Sequence, residues 1–176
     1  YFKRYYVPNN VAICMAGDMN PDEVIATIDK HFGSWKKSET LSRPEYAAVK
    51  DLTAPVDTTV MGLEAESVLM GWKFKGASSA QSDTLNLLSS ILSNSKAGLI
   101  DINLNQPMKI MGAGGGVMSL NDYSVFILQG MPKQGQSLEE VRSLMLGEIE
   151  KLKKGDFSND LIPSIINNEK LDYFQS

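Results

Sequence analysis

The chain contains 176 residues, of which 43% are apolar, and its 21 acidic and 17 basic residues give a formal net charge of −4. This length and composition suit one large globular domain or parts of two. A nucleic-acid binder usually carries a basic surplus, which is missing here, and no apolar stretch approaches the roughly 18 residues that span a bilayer. We therefore expect neither a nucleic-acid partner nor a membrane segment.

The only cysteine, Cys14, lies within the apolar run 11–16. No intrachain disulfide is possible, so the fold must be held together by packing. A lone thiol in such a run is typical of a small buried hydrophobic side chain rather than of a nucleophile. The cysteine content favours a reducing compartment and is compatible with a bacterial cytoplasm or periplasm. Because the sequence starts at Tyr1 and stops within a helical pattern, we expect a piece of a longer protein.

The first predicted unit joins a strand to a helix. Residues 11–17 are almost wholly apolar, which predicts a buried strand. Asn20 is a good N-cap for the following helix, Pro21 suits its first position, and Glu23 would complete a capping box. Gly33 is the expected helix stop. The apolar face of this helix consists of Val24, Ile25, Ile28 and Phe32.

Regular patterns fade over residues 34–55, which are mostly polar and close with Pro55. About twenty residues without regular structure are long for a loop inside a compact domain. We therefore predict a linker at 36–56. It separates a strand–helix segment at 1–35 from a second domain at 57–176, which we expect to be truncated at its C-terminus.

The second domain is predicted to contain pairs of strands and pairs of helices. Runs of β-branched and aromatic residues predict four strands. They cover residues 58–64, 67–75, 108–118 and 123–129, with a turn at 120–122. Apolar residues at helical spacing predict four helices, the third of which has a capping box at Ser137 and Glu140 and a stop at Gly155. They cover residues 81–94, 99–105, 138–154 and a stretch from 162 onward. Adjacent strand pairs imply a layered α+β fold, with helices packed on one side of an antiparallel or mixed sheet.

Histidine and cysteine are too scarce for the usual catalytic sites. His31 is the sole histidine, so neither His-x-x-x-His nor His-x-x-Glu-His can occur, and a zinc site needs three protein ligands. A Ser–His–acid triad would have to use His31, and no Gly-x-Ser-x-Gly elbow is present. We interpret His31 as a surface residue at a helix end, and we predict no catalytic and no metal-binding residue in this chain.

The run Gly112-Ala113-Gly114-Gly115-Gly116 is the one unusual local feature. A phosphate loop would need a following lysine and a strand-to-helix junction, and neither is present. Glycine within a strand often marks a bulge or a close backbone approach. Three interpretations stay open: a bulged or edge strand, a strand that accepts an extended peptide by backbone pairing, and a nucleotide site. Gly114, Gly115 and Gly116 are the candidate substrate contacts.

The order of several short motifs carries a resemblance. The segment Tyr6-Val7-Pro8-Asn9-Asn10 precedes an apolar run that ends in Gly17-Asp18, and the next helix ends in Phe32-Gly33. This order resembles that of the insulinase-type, pitrilysin-like zinc metallopeptidases, the inverzincins. In that family a Tyr-x-Pro-Asn-Asn segment enters a strand ending in Gly-Asp, and a helix ending in Phe-Gly follows. The glycine run and the helix after it also follow the family's order, so the resemblance covers nearly the whole chain.

The resemblance implies a domain assignment and a set of partners. Residues 1–35 would be the tail of a zinc-binding domain, and residues 57–176 would form the inactive domain that follows it. The family's zinc is held by an inverted His-x-x-Glu-His motif, which would precede Tyr1. The resemblance thus implies zinc in a parent metalloendopeptidase and none in this chain. It also implies that this chain supports a closed substrate chamber and positions a peptide substrate, with the other peptidase domains as partners.

One position pair departs from the family's pattern. Some of its domains supply an arginine and a tyrosine, seven residues apart, that help to bind the substrate. The comparable positions here are Asn103 and Ile110, so we expect no catalytic assistance. Two alternative functions stay open: an inactive partner or scaffold subunit of the same family, and an unrelated peptide-binding α+β module.

Overall fold

The computed structural model describes residues 1–42 and 45–175. The chain forms two compact units, Tyr1–Thr59 and Val60–Ser176. The elements, in chain order, are α1 (Phe2–Tyr5), a 3-10 turn (Pro8–Asn10), α2 (Pro21–Phe32), β1 (Val68–Lys75), α3 (Gln81–Leu92), a π-helical turn (Asp101–Asn105), β2 (Gly112–Ser119), β3 (Tyr123–Met131), α4 (Leu138–Lys154) and α5 (Leu161–Gln175). None of the helices within the described ranges is long and apolar enough to cross a bilayer.

The helix α2 of the first unit begins and ends where the sequence predicts. The Asn20 side chain accepts a hydrogen bond from the Asp22 N–H at 3.0 Å, and Pro21 occupies the first turn. The reciprocal capping box is not formed, because Glu23 Oε1 instead accepts from the side-chain amide of Asn20 at 3.4 Å. The helix ends before Gly33, and His31 is exposed in its last turn, as expected for a helix-end residue.

The predicted buried strand at 11–17 is wrong. The segment contains no strand, its apolar side chains are exposed, and so is the thiol of Cys14. Val11 has an extended backbone, with φ −125° and ψ 136°. A strand also needs a neighbour that completes its backbone hydrogen bonds, and no strand lies among the described residues of Tyr1–Thr59. The conformation of Val11 therefore suits a strand, but no neighbouring strand completes it among the described residues.

The predicted linker at 36–56 contains no helix or strand among its described residues, and its positions 43 and 44 lie outside them. Its first part is nevertheless tied to the N-terminal segment. The Asn9 side chain accepts from the Ser38 N–H at 3.0 Å and donates to the Ser38 carbonyl at 2.9 Å. The division between the two units falls between Thr59 and Val60.

The second unit contains one antiparallel sheet of three strands in the order β1-β3-β2. The predicted strand at 58–64 is wrong, since these residues form no strand and Val60, Met61 and Leu63 are at least 85% exposed. The strand β2 begins at Gly112 rather than at 108, because Met108 ends a turn with a left-handed φ of 53° and residues 109–111 form a bend. The other predicted elements are confirmed, with a π-helical turn in place of the short helix at 99–105.

The helices pack on one face of this sheet, as predicted. Buried residues alternate along β3, and Phe126 and Leu128 of that strand join the core. Gly130 faces α4 so closely that a methyl group there would lie 2.7 Å from Val141 Cγ1 and 2.8 Å from Met145 Sδ. The buried core consists of Leu85, Ile91, Leu92, Leu99, Ile100, Leu104, Ile110, Phe126, Leu128, Val141, Met145, Leu161 and Ile165. The fold is thus an α+β layer built on an antiparallel sheet.

Candidate functional site

The glycine run lies in β2, at one edge of the sheet. The Leu120 N–H donates to the Tyr123 carbonyl at 3.1 Å, and the register with β3 continues without a bulge from Ser119 to Gly112. Hydrogen-bonded and non-hydrogen-bonded pairs alternate in an antiparallel ladder. Gly114 and Gly116 therefore pair with β3, whereas the N–H and C=O groups of Gly115 and Val117 point away from it. A phosphate loop is excluded here, because the glycines lie inside a strand that leads into another strand rather than into a helix.

The three candidate glycines differ in what surrounds them. A methyl group on Gly115 would overlap the Leu128 side chain and the Ile127 carbonyl. On Gly114 it would meet the Ser93 hydroxyl at 3.5 Å, an ordinary contact, and on Gly116 it would meet nothing within 4 Å. Cross-strand packing therefore requires glycine at 115, while Gly116 leaves open space above the strand.

A shallow groove of about 530 Å³ lies over β2 and β3. Its lining consists of residues 112–118, Ile127, Gln129 and Met131. No charged side chain lines it, and two methionines, Met118 and Met131, stand at its ends. Methionine is flexible and polarisable, so it adapts to apolar groups of different shape. The groove can therefore accept uncharged side chains of an extended chain without selecting one of them sharply.

Asn105 occupies one end of the β2 edge. Its Nδ2 donates to the Ala113 carbonyl at 2.7 Å, and its Oδ1 accepts from the Ala113 N–H at 2.8 Å. The carboxamide thus binds both backbone groups of Ala113, as a neighbouring strand would. Among the described residues, no group bonds Gly115 or Val117 on that side. This contact could not be predicted from the sequence, because Asn105 was predicted only as the last residue of a helix.

The Asp101 side chain holds Asn105 and the loop before it. Asp101 is 6% exposed, and its Oδ1 accepts from Asn105 Nδ2 at 3.3 Å. Its Oδ2 accepts from the N–H groups of Asn94 and Gly98, at 2.9 and 3.2 Å. Both oxygens are therefore occupied, which suits a structural carboxylate rather than an acid or base.

Asn103 and Ile110, the pair at the family's substrate-binding spacing, are both used by the fold. Asn103 Nδ2 donates to Glu148 Oε2 at 2.7 Å, and Lys151 Nζ lies 2.9 Å from the other oxygen of the same carboxylate. Glu148 is 4% exposed, and Ile110 is 1% exposed within the core. Neither Asn103 nor Ile110 is placed to contact a peptide.

Zinc-binding side chains do not cluster among the described residues. Within residues 1–42 and 45–175, no three His, Cys, Asp or Glu side chains form a metal-binding group. The residues present therefore do not fit the family's zinc site. What the β2 edge offers is backbone hydrogen bonding beside an uncharged groove, which suits binding rather than catalysis.

Comparisons with known proteins agree with this arrangement. The family model described as the peptidase M16 inactive domain matches residues 1–169. The curated zinc protease PqqE of Helicobacter pylori is 25% identical over 176 residues, which cover 98% of this chain and 40% of that protein. The crystal structure of a protease from Helicobacter pylori is similar with a TM-score of 0.79 and 26% identity, over 98% of this chain and 43% of that one. The chain thus spans less than half the length of either relative.

Proposed function

Because the chain belongs to the family of M16 peptidase inactive domains, we propose that it is the non-catalytic domain of a zinc-dependent endopeptidase. In this role it supports a closed substrate chamber and positions an extended peptide for cleavage. The observation that carries the proposal is the β2 edge, where Gly115 and Val117 direct outward backbone groups that no described residue bonds. This family membership excludes the alternative of an unrelated peptide-binding module.

The proposed binding mode is strand addition. An extended peptide that pairs with Gly115 and Val117 gains main-chain hydrogen bonds, which do not depend on the peptide's sequence. Every second side chain of such a peptide projects to the groove side of the sheet. The groove has no charged lining and methionines at its ends, so it suits uncharged side chains of varied shape. A peptidase domain with these properties would hold unfolded segments and discriminate weakly among them.

Zinc and the acid–base groups would come from another domain of the same protein. The similar protein from Helicobacter pylori is a zinc protease more than twice as long as this chain. Positioning the peptide beside such a site would raise the cleavage rate by orienting the scissile bond. No step of the hydrolysis itself is assigned to residues of this chain.

The division of the chain fits the same proposal. We propose that residues 1–35 are the tail of the preceding zinc-binding domain, that 36–56 link the two domains and that 57–176 form the inactive domain. The exposed apolar side chains of the first unit support this assignment, since Ile13, Ile25 and Phe32 are 43–61% exposed. In the intact peptidase, these side chains would pack against the rest of the zinc-binding domain.

The experiment combines this chain with a zinc-binding domain of the same family that carries His-x-x-Glu-His. Cleavage of an unfolded fluorogenic peptide is measured with and without zinc. We expect the chain to lower KM for a zinc-dependent cleavage. We also expect Val117→Pro to raise KM more than Val117→Ala, because only proline removes the outward N–H. Cleavage that is indifferent to the chain would contradict the proposal, as would equal KM values for the two variants.

The second candidate is an inactive partner or scaffold subunit of the same family, within a protein that catalyses nothing. The occupation of Asn103 by Glu148 and the burial of Ile110 favour it, because the family's substrate-binding pair is replaced by structural residues. Co-purification of the chain with a separate chain that carries an intact zinc motif would support this candidate. Zinc-dependent activity within the chain's own full-length protein would exclude it.

A further inference from the structure

The outward-facing positions of β2 are not equivalent. Ala113, Gly115 and Val117 alternate with residues that pair with β3. The backbone groups of Ala113 are both bound by the Asn105 carboxamide. A peptide strand laid along this edge would need the volume that the carboxamide fills. Asn105 therefore closes the edge at Ala113, whereas no described residue bonds the outward groups from Gly115 toward the hairpin.

Further hydrogen bonds fix the Asn105 side chain. Its Nδ2 also contacts the buried carboxylate of Asp101 at 3.3 Å, and it lies in the π-helical turn, where the Gln106 N–H donates to the Asp101 carbonyl at 2.8 Å. Asp101 in turn is fixed by the Asn94 and Gly98 N–H groups. Displacing Asn105 would break both bonds to Ala113 and loosen this network. A side chain so supported acts as a fixed stop rather than as a mobile gate.

We infer that Asn105 sets the register of the bound peptide. An extended segment pairs with Gly115 and Val117 and must bend or end where it reaches Asn105. The inference rests on the proposed peptide-binding function and makes Asn105 a specificity-determining residue for it. Its consequence is that peptide residues beyond the stop, on the Ala113 side, contribute no further pairing.

The test uses the full chain and capped peptides of alternating threonine and valine, four and eight residues long. Affinity is measured by fluorescence anisotropy, and the footprint is read from amide hydrogen exchange. For the unchanged chain we expect protection of Gly115 and Val117, no added protection of Ala113, and affinities within about twofold for the two lengths. In Asn105→Ala the longer peptide should protect Ala113 and bind about tenfold more tightly than the shorter one, the factor that corresponds to about 1.4 kcal/mol of added pairing.

A control measurement shows whether Asn105→Ala keeps the folded core. Amide protection of Leu128 and Met145 must persist in Asn105→Ala. If it does not, Asn105→Asp serves instead, because the carboxylate still accepts from the Ala113 N–H but cannot donate to its carbonyl. We expect a smaller gain for the long peptide in that variant.

The outcomes separate the two claims. Protection of Gly115 and Val117 with the same length dependence in the unchanged chain and the variants would overturn the role of Asn105 and leave peptide binding intact. Displacement of Asn105 by the peptide, seen as new protection of Ala113 in the unchanged chain, would do the same. Absence of protection at Gly115 and Val117 in every variant would overturn both the proposed function and the inference.

Discussion

The two compact units of the chain differ in how far their apolar side chains are buried. In Val60–Ser176, apolar side chains of four helical segments and the sheet form one continuous core. Among the described residues of Tyr1–Thr59, Val7 is the only buried hydrophobic residue. Both units have sequences with clear apolar periodicity, so the pattern alone does not decide burial. Burial depends on a second element against which an apolar face packs, and among the described residues such a core is found in Val60–Ser176.

The largest expected difference in stability is between a substitution of a buried apolar residue in the second unit and one of an exposed apolar residue in the first. Leu128 is fully buried under the helices, whereas Ile13 is 49% exposed. We expect Leu128→Ala to lower the free energy of unfolding by about 2–5 kcal/mol and Ile13→Ala to change it by less than about 0.5 kcal/mol. Urea titration followed by circular dichroism measures both. Equal losses would show that the first unit has a core comparable to that of the second.

Two adjacent glycines test the same contrast within β2. A methyl group at Gly115 overlaps Leu128, while at Gly116 it has open space. We expect Gly115→Ala to cost about 1–3 kcal/mol through overpacking. Gly116→Ala should be neutral or stabilising by up to about 1 kcal/mol, because alanine restricts the unfolded chain. Thermal unfolding of the two variants side by side provides the measurement, and a destabilisation at 116 as large as that at 115 would refute the packing assignment.

A pair of asparagines, one from each unit, gives a smaller expected difference. Asn103→Ala leaves the buried Glu148 carboxylate with Lys151 as its remaining partner, and we expect a loss of about 1–2 kcal/mol. Asn9→Ala removes two hydrogen bonds to Ser38 at the surface, where water replaces them, so we expect less than about 1 kcal/mol. Chemical denaturation resolves the two values. The opposite ranking would mean that Asn103 is dispensable for holding Glu148.

The smallest expected effect concerns pH. A hydrogen bond from Lys153 and the charges of Lys153 and Lys154 lower the pKa of Glu150 on the surface of α4. A lowered pKa in the folded state stabilises the fold above the carboxyl's ordinary pKa, and this contribution is lost as the pH falls through the lowered value. Glu150→Gln should therefore be marginally less stable than the unchanged chain at neutral pH and equal to it in strong acid. A difference that grows toward low pH would show that the sign is wrong.

Sequence reasoning succeeded where neighbouring residues decide the structure. The cap at Asn20 and the left-handed stop at Gly155 depend on residues within one turn, and the turn at 120–122 depends on the two strands that flank it. At Ser137 half of the predicted capping box formed, because Glu140 accepts from Gln136 instead of returning to the cap. Such local rules were sufficient to predict most elements of the second unit and its α+β layer.

Sequence reasoning failed where residues distant in sequence decide the structure. Residues 11–17 and 58–64 have strand-like sequences, yet neither forms a strand, because no neighbouring strand pairs with them among the described residues. The glycine run could be found by its composition alone. The hydrogen bonds between Asn105 and Ala113 could not be predicted. An asparagine at a helix end does not indicate which backbone groups its side chain will contact after folding.

We propose that this chain contributes to a peptidase without holding a catalytic metal of its own. Calorimetric titration of the purified chain with zinc, followed by a peptidase assay of the same sample, tests it most directly. We expect no saturable binding at one zinc per chain and no hydrolysis of an unfolded peptide. One tightly bound zinc per chain that is lost in His31→Ala, together with cleavage, would contradict it.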